Sequence, residues 1–209
     1  MKRTTFRTFA PGLAGLMLVS GLAFAAPASM EATPREVIAA RYQQMERIIQ
    51  GGKPVHEMRD EIEASMDGFV DFRELSRLTI RRVWPSMKSA DRDEFVVLLQ
   101  TLIARTYAKR FEPDHSLKVV YEGEAEMRKG RARLRTTVSS GKTTADVEYR
   151  MHRVGDSGGW LAYDIVIDDV SLMRNYRSQF QKIFQDGGTI ETLLARLRKQ
   201  TAEDSPGKN

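Results

Sequence analysis

The hydrophobic repeat of this chain changes once, near residue 115, and that change restricts the fold more than any other feature. Before it, apolar residues recur at helical spacing: Ile38, Tyr42, Met45, Ile48 and Ile49, then Val55, Met58, Ile62 and Met66, then Phe95, Leu98, Leu99, Leu102, Ile103 and Tyr107. After it, Leu117, Val119 and Tyr121 alternate with more polar neighbours, as do Ala132, Leu134, Thr136 and Val138, and then Val147, Tyr149 and Met151. That is the period of half-buried strands. A last strand, Trp160 to Ile167, is apolar at nearly every position except Asp164 and should be covered on both faces. It runs into an amphipathic helix carrying Tyr176, Arg177 and Phe180. Helices, an antiparallel meander and closing helices predict an α+β fold, a curved antiparallel four-stranded sheet wrapped by helices. The concave face of such a sheet is filled either by side chains alone or partly by a ligand.

Local signals place the elements. Thr33-Pro34-Arg35-Glu36 is a capping box with proline at the first helical position, and the helix stops at Gly51-Gly52. Asp71-Phe72-Arg73-Glu74 starts another helix, with Phe72, Leu75, Leu78 and Ile80, that ends near Trp84-Pro85. Ser89 can cap a long helix over Ala90 to Arg110, whose apolar stripe is wide enough to wall a core. Ser139-Ser140-Gly141-Lys142 joins two strands in the register that sets Arg135 against Asp146 and Arg133 against Glu148. Leu134 then faces Val147, and Ala132 faces Tyr149, on the other side. Further helices are expected to about Gln185 and from Thr189 to Lys199.

The chain opens with Lys2, Arg3 and Arg7, an apolar run from Leu13 and an Ala23-Phe24-Ala25 motif, the pattern of a secretory signal peptide over residues 1–25. That run is too short to span a bilayer. Removing it takes three basic residues and no acidic ones, so the formal charge falls from +5 to +2. Cysteine is absent, so the fold has no disulfide, lipid-anchoring cysteine or thiolate chemistry to draw on. Residues 26–200 make one domain. The tail 201–209, TAEDSPGKN, is expected to be disordered.

Catalytic patterns are sparse. His56, His115 and His152 lack metal-ligand spacing and read as surface residues, so no metal is expected. GDSGG at 155–159 reads as a turn rather than a serine nucleophile loop. Asp164 reads as an ion pair with Arg177 or another arginine, the alternative being an acid or base, with Tyr163, of a small-molecule enzyme on the same scaffold. Arg128, Lys129, Arg131, Arg133 and Arg135 form a basic run that cross-strand acids partly neutralise, and no nucleic-acid partner is expected.

Val70 to Trp84 (VDFRELSRLTIRRVW), Asp93 to Phe111 (DEFVVLLQTLIARTYAKRF), Trp160 to Phe180 (WLAYDIVIDDVSLMRNYRSQF) and GGTIETLLARLR together resemble the MlaC family, also called the Ttg2 toluene-tolerance family, of periplasmic phospholipid-binding proteins. The resemblance implies a nuclear-transport-factor-two-like cone with a deep apolar cavity. It also implies a monomeric, non-enzymatic carrier in the periplasm of a Gram-negative cell, with phospholipid as ligand and no cofactor. Its partners would be an inner-membrane ABC transporter complex bearing an MCE-domain protein and an outer-membrane lipoprotein associated with porins, in an Mla-type system that maintains outer-membrane lipid asymmetry. The resemblance carries over Tyr107, at the end of the long helix, as a lipid-binding residue; Leu98, Leu99 and Leu102 are expected in the wall opposite the sheet, and Phe72, Leu75, Trp84 and Phe95 in the lining with them. The sheet would add Val138, Val147, Tyr149 and Met151, then Tyr163, Ile165 and Ile167. Val147 and Leu99 are expected on opposing walls.

Overall fold

The structure, a computed structural model, describes residues 32–113, 115–155 and 158–203. The expected signal peptide therefore lies outside the described residues. Helix α1 (Pro34–Ile49) starts at the predicted box: Glu36 N donates to Thr33 Oγ1 at 3.2 Å, and Thr33 N donates to Glu36 Oε2 at 2.7 Å. Then come α2 (Val55–Ser65), α3 (Phe72–Thr79), a 3-10 turn at Trp84–Ser86 and α4 (Ser89–Ala108). Asp71 caps α3 by accepting from Glu74 N, but the Glu74 carboxylate turns to Arg77 instead of reaching back, so this box is half formed. Ser89 is the first helical residue of α4 rather than its cap, which is Lys88.

Six strands follow where four were expected. They are β1 (Leu117–Tyr121), β2 (Glu126–Arg128), β3 (Arg131–Ser140), β4 (Thr143–Arg153), β5 (Trp160–Ile167) and β6 (Val170–Ser171). The order is β1-β3-β4-β5-β6, antiparallel throughout, with β2 also on β3 as a continuation of the β1 edge. The two additional strands have three and two residues, too few to show an alternation. Residues 69–71 join β5 on the side away from β4, at the other end of the strand from β6, where Ala162 N donates to the Phe69 carbonyl and Asp71 N to the Ala162 carbonyl, both at 2.8 Å. The chain closes with α5 (Leu172–Gln185) and α6 (Ile190–Glu203). Helix α6 continues through three residues of the expected tail, because Thr201 is buried and donates to the Leu197 carbonyl while its own carbonyl accepts from Arg105 Nη1. Residues 204–209 lie outside the described residues.

The central hairpin differs from its expected register by two residues. Arg135 faces Glu148, Thr137 faces Asp146, Arg133 faces Arg150, Leu134 faces Tyr149 and Ala132 faces Met151. The cause is the turn, which is Gly141-Lys142 rather than Ser140-Gly141. Gly141 has φ 57, and a two-residue hairpin needs a residue of positive φ at its first central position. A shift of two keeps every side chain on its expected face, so the alternation could not detect it.

On the outer face, two like charges, Arg133 and Arg150, stand opposite each other and are reconciled by acids around them. Glu148 takes Arg135 (3.1 Å), Arg133 (3.5 Å) and Arg150 (2.8 Å), and Glu126 takes Arg133 and Arg135. Burial pulls the Glu148 carboxyl up, but these arginines, Arg150 foremost, hold it below the usual carboxylate range. Arg150 also donates to Asp164 Oδ2 at 3.0 Å. Asp164 is fully buried and takes two further hydrogen bonds, from Ser171 Oγ (2.7 Å) and Met173 N (3.0 Å), so it ties β4, β5 and the start of α5 together. The expected arginine partner is thus Arg150. Arg177 instead donates to the Leu78 carbonyl.

Asp164→Ala should cost about 2–4 kcal/mol, since it leaves the Ser171 hydroxyl and the Met173 amide without their acceptor and takes from Arg150 one of its two carboxylate partners. Arg133→Ala, a half-exposed pair, should cost no more than about 1 kcal/mol. Urea denaturation of the two variants checks the ordering.

Candidate functional site

A cavity of about 520 Å³ lies between the inner face of the sheet and helices α1, α2 and α4. Its size is ordinary for a small-molecule site. The sheet contributes Val138, Val147, Tyr149, Ile165 and Ile167, all pointing inward by strand alternation. Opposite them stand Ile103 and Tyr107 of α4, Tyr42 and Met45 of α1, and Ile62, Met66 and Phe69 from α2 and the segment after it. Leu75, Val70 and Leu172 are buried and close one end. The other end is exposed and polar, framed by Arg110, Glu112 and His115 after α4 and by Gly141 and Lys142 of the β3–β4 turn. A Cβ on Gly141 would lie 3.1 Å from the His115 ring, so this turn needs glycine for contact as well as for φ.

One polar group stands inside the apolar wall. The Tyr42 and Tyr149 hydroxyls hydrogen-bond to each other across the gap between α1 and β4, with Thr136 beside both and itself donating to the Val147 carbonyl. The two rings meet edge to face, and Phe69 leans on Tyr149 at 5.9 Å. Burial pushes the Tyr42 hydroxyl up to about 12, with hydrogen bonds from Tyr149 and Thr136 pulling it partly back. Burial raises Tyr149 well above its ordinary value and raises Tyr107 as well. These hydroxyls are therefore neutral throughout the physiological range. The walls offer an apolar guest dispersion and burial, and the one charged side chain in the lining besides those at the mouth, Arg41, donates to the Gly68 carbonyl and lies by the Phe69 ring.

A sequence model of the MlaC protein family matches residues 39–199. This chain belongs to the MlaC family. Among solved structures it is similar to the phospholipid-binding protein from Ralstonia solanacearum, determined in complex with a phospholipid. The TM-score is 0.68 at 21% identity, over 85% of this chain and 99% of that one. The likeness bears on the fold, a mixed helical and open antiparallel architecture, and agrees with the predicted class apart from the number of strands. A comparison with curated proteins finds no match.

Of the residues expected to line the site of this MlaC family member, the cavity collects Leu75, Tyr107, Val138, Val147, Tyr149, Ile165 and Ile167. Phe95, Leu99 and Leu102 lie elsewhere, in a solid helical core with Phe180, Leu193, Leu194 and Leu197, and Leu98 packs at its edge. Helix α4 is apolar on two sides: Phe95 meets the Phe180 ring of α5 and, with Leu99 and Leu102, shares a core with residues of α5 and α6, while Ile103 and Tyr107 also line the cavity. Leu99 is consequently not the wall facing Val147. Phe72 is in the same helical core, and Trp84 sits in the 3-10 turn under the guanidiniums of Arg73 and Arg92. Met151 is buried with Ile38, Trp160 and Ala162 beyond the closed end. Tyr163 falls at the irregularity where β4 and β5 change register between Arg150 and Met151, and meets the His152 ring edge to face. His152 is half-buried and bonded to Asp71 Oδ2 at 3.0 Å, against the surface position expected of it, whereas His56 and His115 are exposed.

Neither Asp164 nor Tyr163 lines the cavity, and both Asp164 oxygens are taken up by structural donors. Among the described residues, no group of three or more histidines and acids could hold a metal ion, and no helix is long and apolar enough to cross a membrane. Tyr42, Met45, Ile62, Ile103 and Phe69 line the cavity without being expected to; all but Phe69 lie on the helical stripes of α1, α2 and α4, which mark them as buried but not by what.

Because the folded Tyr42 hydroxyl ionises near 12 and an unfolded tyrosine near 10, the folded state keeps this proton longer, and stability must fall as the pH rises between those values. The slope of unfolding free energy against pH over that window should be shallower in Tyr42→Phe than in the parent, as denaturant titrations at each pH would measure.

Proposed function

We propose that this protein is a phospholipid carrier that holds its ligand by the acyl chains in the cavity, with the headgroup at the polar mouth. The observation that carries the reading is an apolar cavity, closed at one end and open at the other, in a chain of the MlaC family. The phospholipid named for the Ralstonia solanacearum structure supports it. Exposing two acyl chains of roughly 15 methylenes each would cost on the order of 24 kcal/mol at about 0.8 kcal/mol per methylene. Release into bulk water is therefore negligible, and transfer takes place in contact with a membrane or a membrane-bound partner. No catalytic group is needed for such a step. The amino-terminal segment supports export to the periplasm, where the partners implied by the resemblance are the inner-membrane MCE-domain ABC complex and the outer-membrane lipoprotein–porin complex.

Two glutamate substitutions separate a lipid cavity from a filled core. Val147→Glu places a carboxylate at the cavity wall, where water can solvate it once lipid is absent, so the variant should fold yet accept no phospholipid from vesicles. Leu99→Glu buries the same charge in the solid helical core and should fail to fold. Circular dichroism and lipid uptake from labelled vesicles read both outcomes; a folded Val147→Glu protein with full uptake would refute the placement of the acyl chains.

A further inference from the structure

A second concavity, of about 650 Å³, opens between the turn after α3 and the outer side of α5, and shares no lining residue with the lipid cavity. Its floor is apolar, made by Ile80, Val83 and Phe184. Three guanidinium groups border it. Arg177 is held in place, donating from Nε (3.1 Å) and Nη2 (2.8 Å) to the Leu78 carbonyl, and Arg81 and Arg82 stand exposed on the facing side. Arg77, four residues before Arg81, is tied to Glu74 by two hydrogen bonds, whereas Arg81 and Arg82 have no acidic partner among the described residues. Gln181 and Gln185 complete the border, and no carboxylate lines it.

The groove is also remote from the mouth. Residues 79–83 lead into the 3-10 turn and the N-terminal end of α4, where Arg92 donates to the Trp84 and Pro85 carbonyls. The mouth is framed by residues just beyond the C-terminal end of the same helix. Helix α4 has 20 residues and so spans about 30 Å.

We infer that this groove is a docking site for an acidic segment of a partner protein, with carboxylates to meet Arg81, Arg82 and Arg177 and an apolar side chain to cover Ile80, Val83 and Phe184. A guanidinium with free N–H groups pairs with carboxylates in a fork geometry, and a fixed one such as Arg177 loses less freedom in doing so. The hollow shape favours a polypeptide segment over the flat surface of a bilayer. A partner seated here holds the carrier by one end and leaves the mouth free for lipid exchange.

The test uses a fluorescein-labelled peptide of glutamates interrupted by two leucines, with fluorescence anisotropy read at low salt. Arg81→Glu/Arg82→Glu should weaken binding at least tenfold. Arg47→Glu/Arg128→Glu, which changes net charge equally at exposed sites elsewhere, should leave it within twofold. Amide shifts on titration should concentrate in residues 79–83 and 181–185. Equal loss in the two double variants, shifts spread over the surface, or no peptide binding would overturn the proposal. Arginine-dependent sedimentation with phosphatidylglycerol vesicles in place of peptide binding would also overturn it, in favour of a membrane contact. Circular dichroism confirms that each variant is folded.

Discussion

A sheet whose inner face stands off from the helices across a cavity has to be held in shape from its outer face, and the buried carboxylate of Asp164 is where that holding is concentrated. It receives Arg150 from β4, the Ser171 hydroxyl from β6 and the Met173 amide from the first turn of α5. A carboxylate with no solvent exposure is costly unless each oxygen is satisfied, so these three donors are a condition of the fold rather than an addition to it. Arg150 carries the linkage on to Glu148, and Glu148 to Arg133 and Arg135, so the outer face is braced across three strands. In a chain without cysteine, no covalent link shares this task.

The inner face follows from that bracing. With β4 and β5 fixed from outside, Val147, Tyr149, Ile165 and Ile167 present an apolar wall that α1, α2 and α4 approach without filling the space between. Most native interiors close such gaps, because each missing contact forfeits dispersion and each void destabilises. Here the helices close on one another instead: α4 buries Phe95, Leu99 and Leu102 against α5 and α6, and that solid core supplies stability the cavity cannot. The Tyr42–Tyr149 hydrogen bond joins α1 to the sheet beside the cavity, and Ile38, buried with Ala132, Leu134 and Met151, packs the same helix onto the sheet.

Periodicity made the helices, the four longer strands and the inward set of sheet residues legible, since a period of two assigns faces whatever the register. It could not assign the register itself, because a two-residue shift preserves every face and the position of the turn depends on the φ of Gly141. A wide apolar stripe told that α4 is buried, but not that it has two neighbours, which is why Leu99 was assigned to the wrong wall while Ile103 was left out. Strands of two and three residues carry no periodic signal at all. The pairing of residues 69–71 with β5, and of Asp71 with His152, joins positions far apart in sequence and leaves no local trace.

The proposed occupant of the space between the sheet and α1, α2 and α4 is the pair of acyl chains of a phospholipid. Native mass spectrometry of the protein isolated from its own cells, without detergent, tests this most directly. The protein mass should be increased by that of bound phospholipid, with the lipid released and identifiable on denaturation. Protein that is free of lipid, and remains so after incubation with phospholipid vesicles, would contradict it.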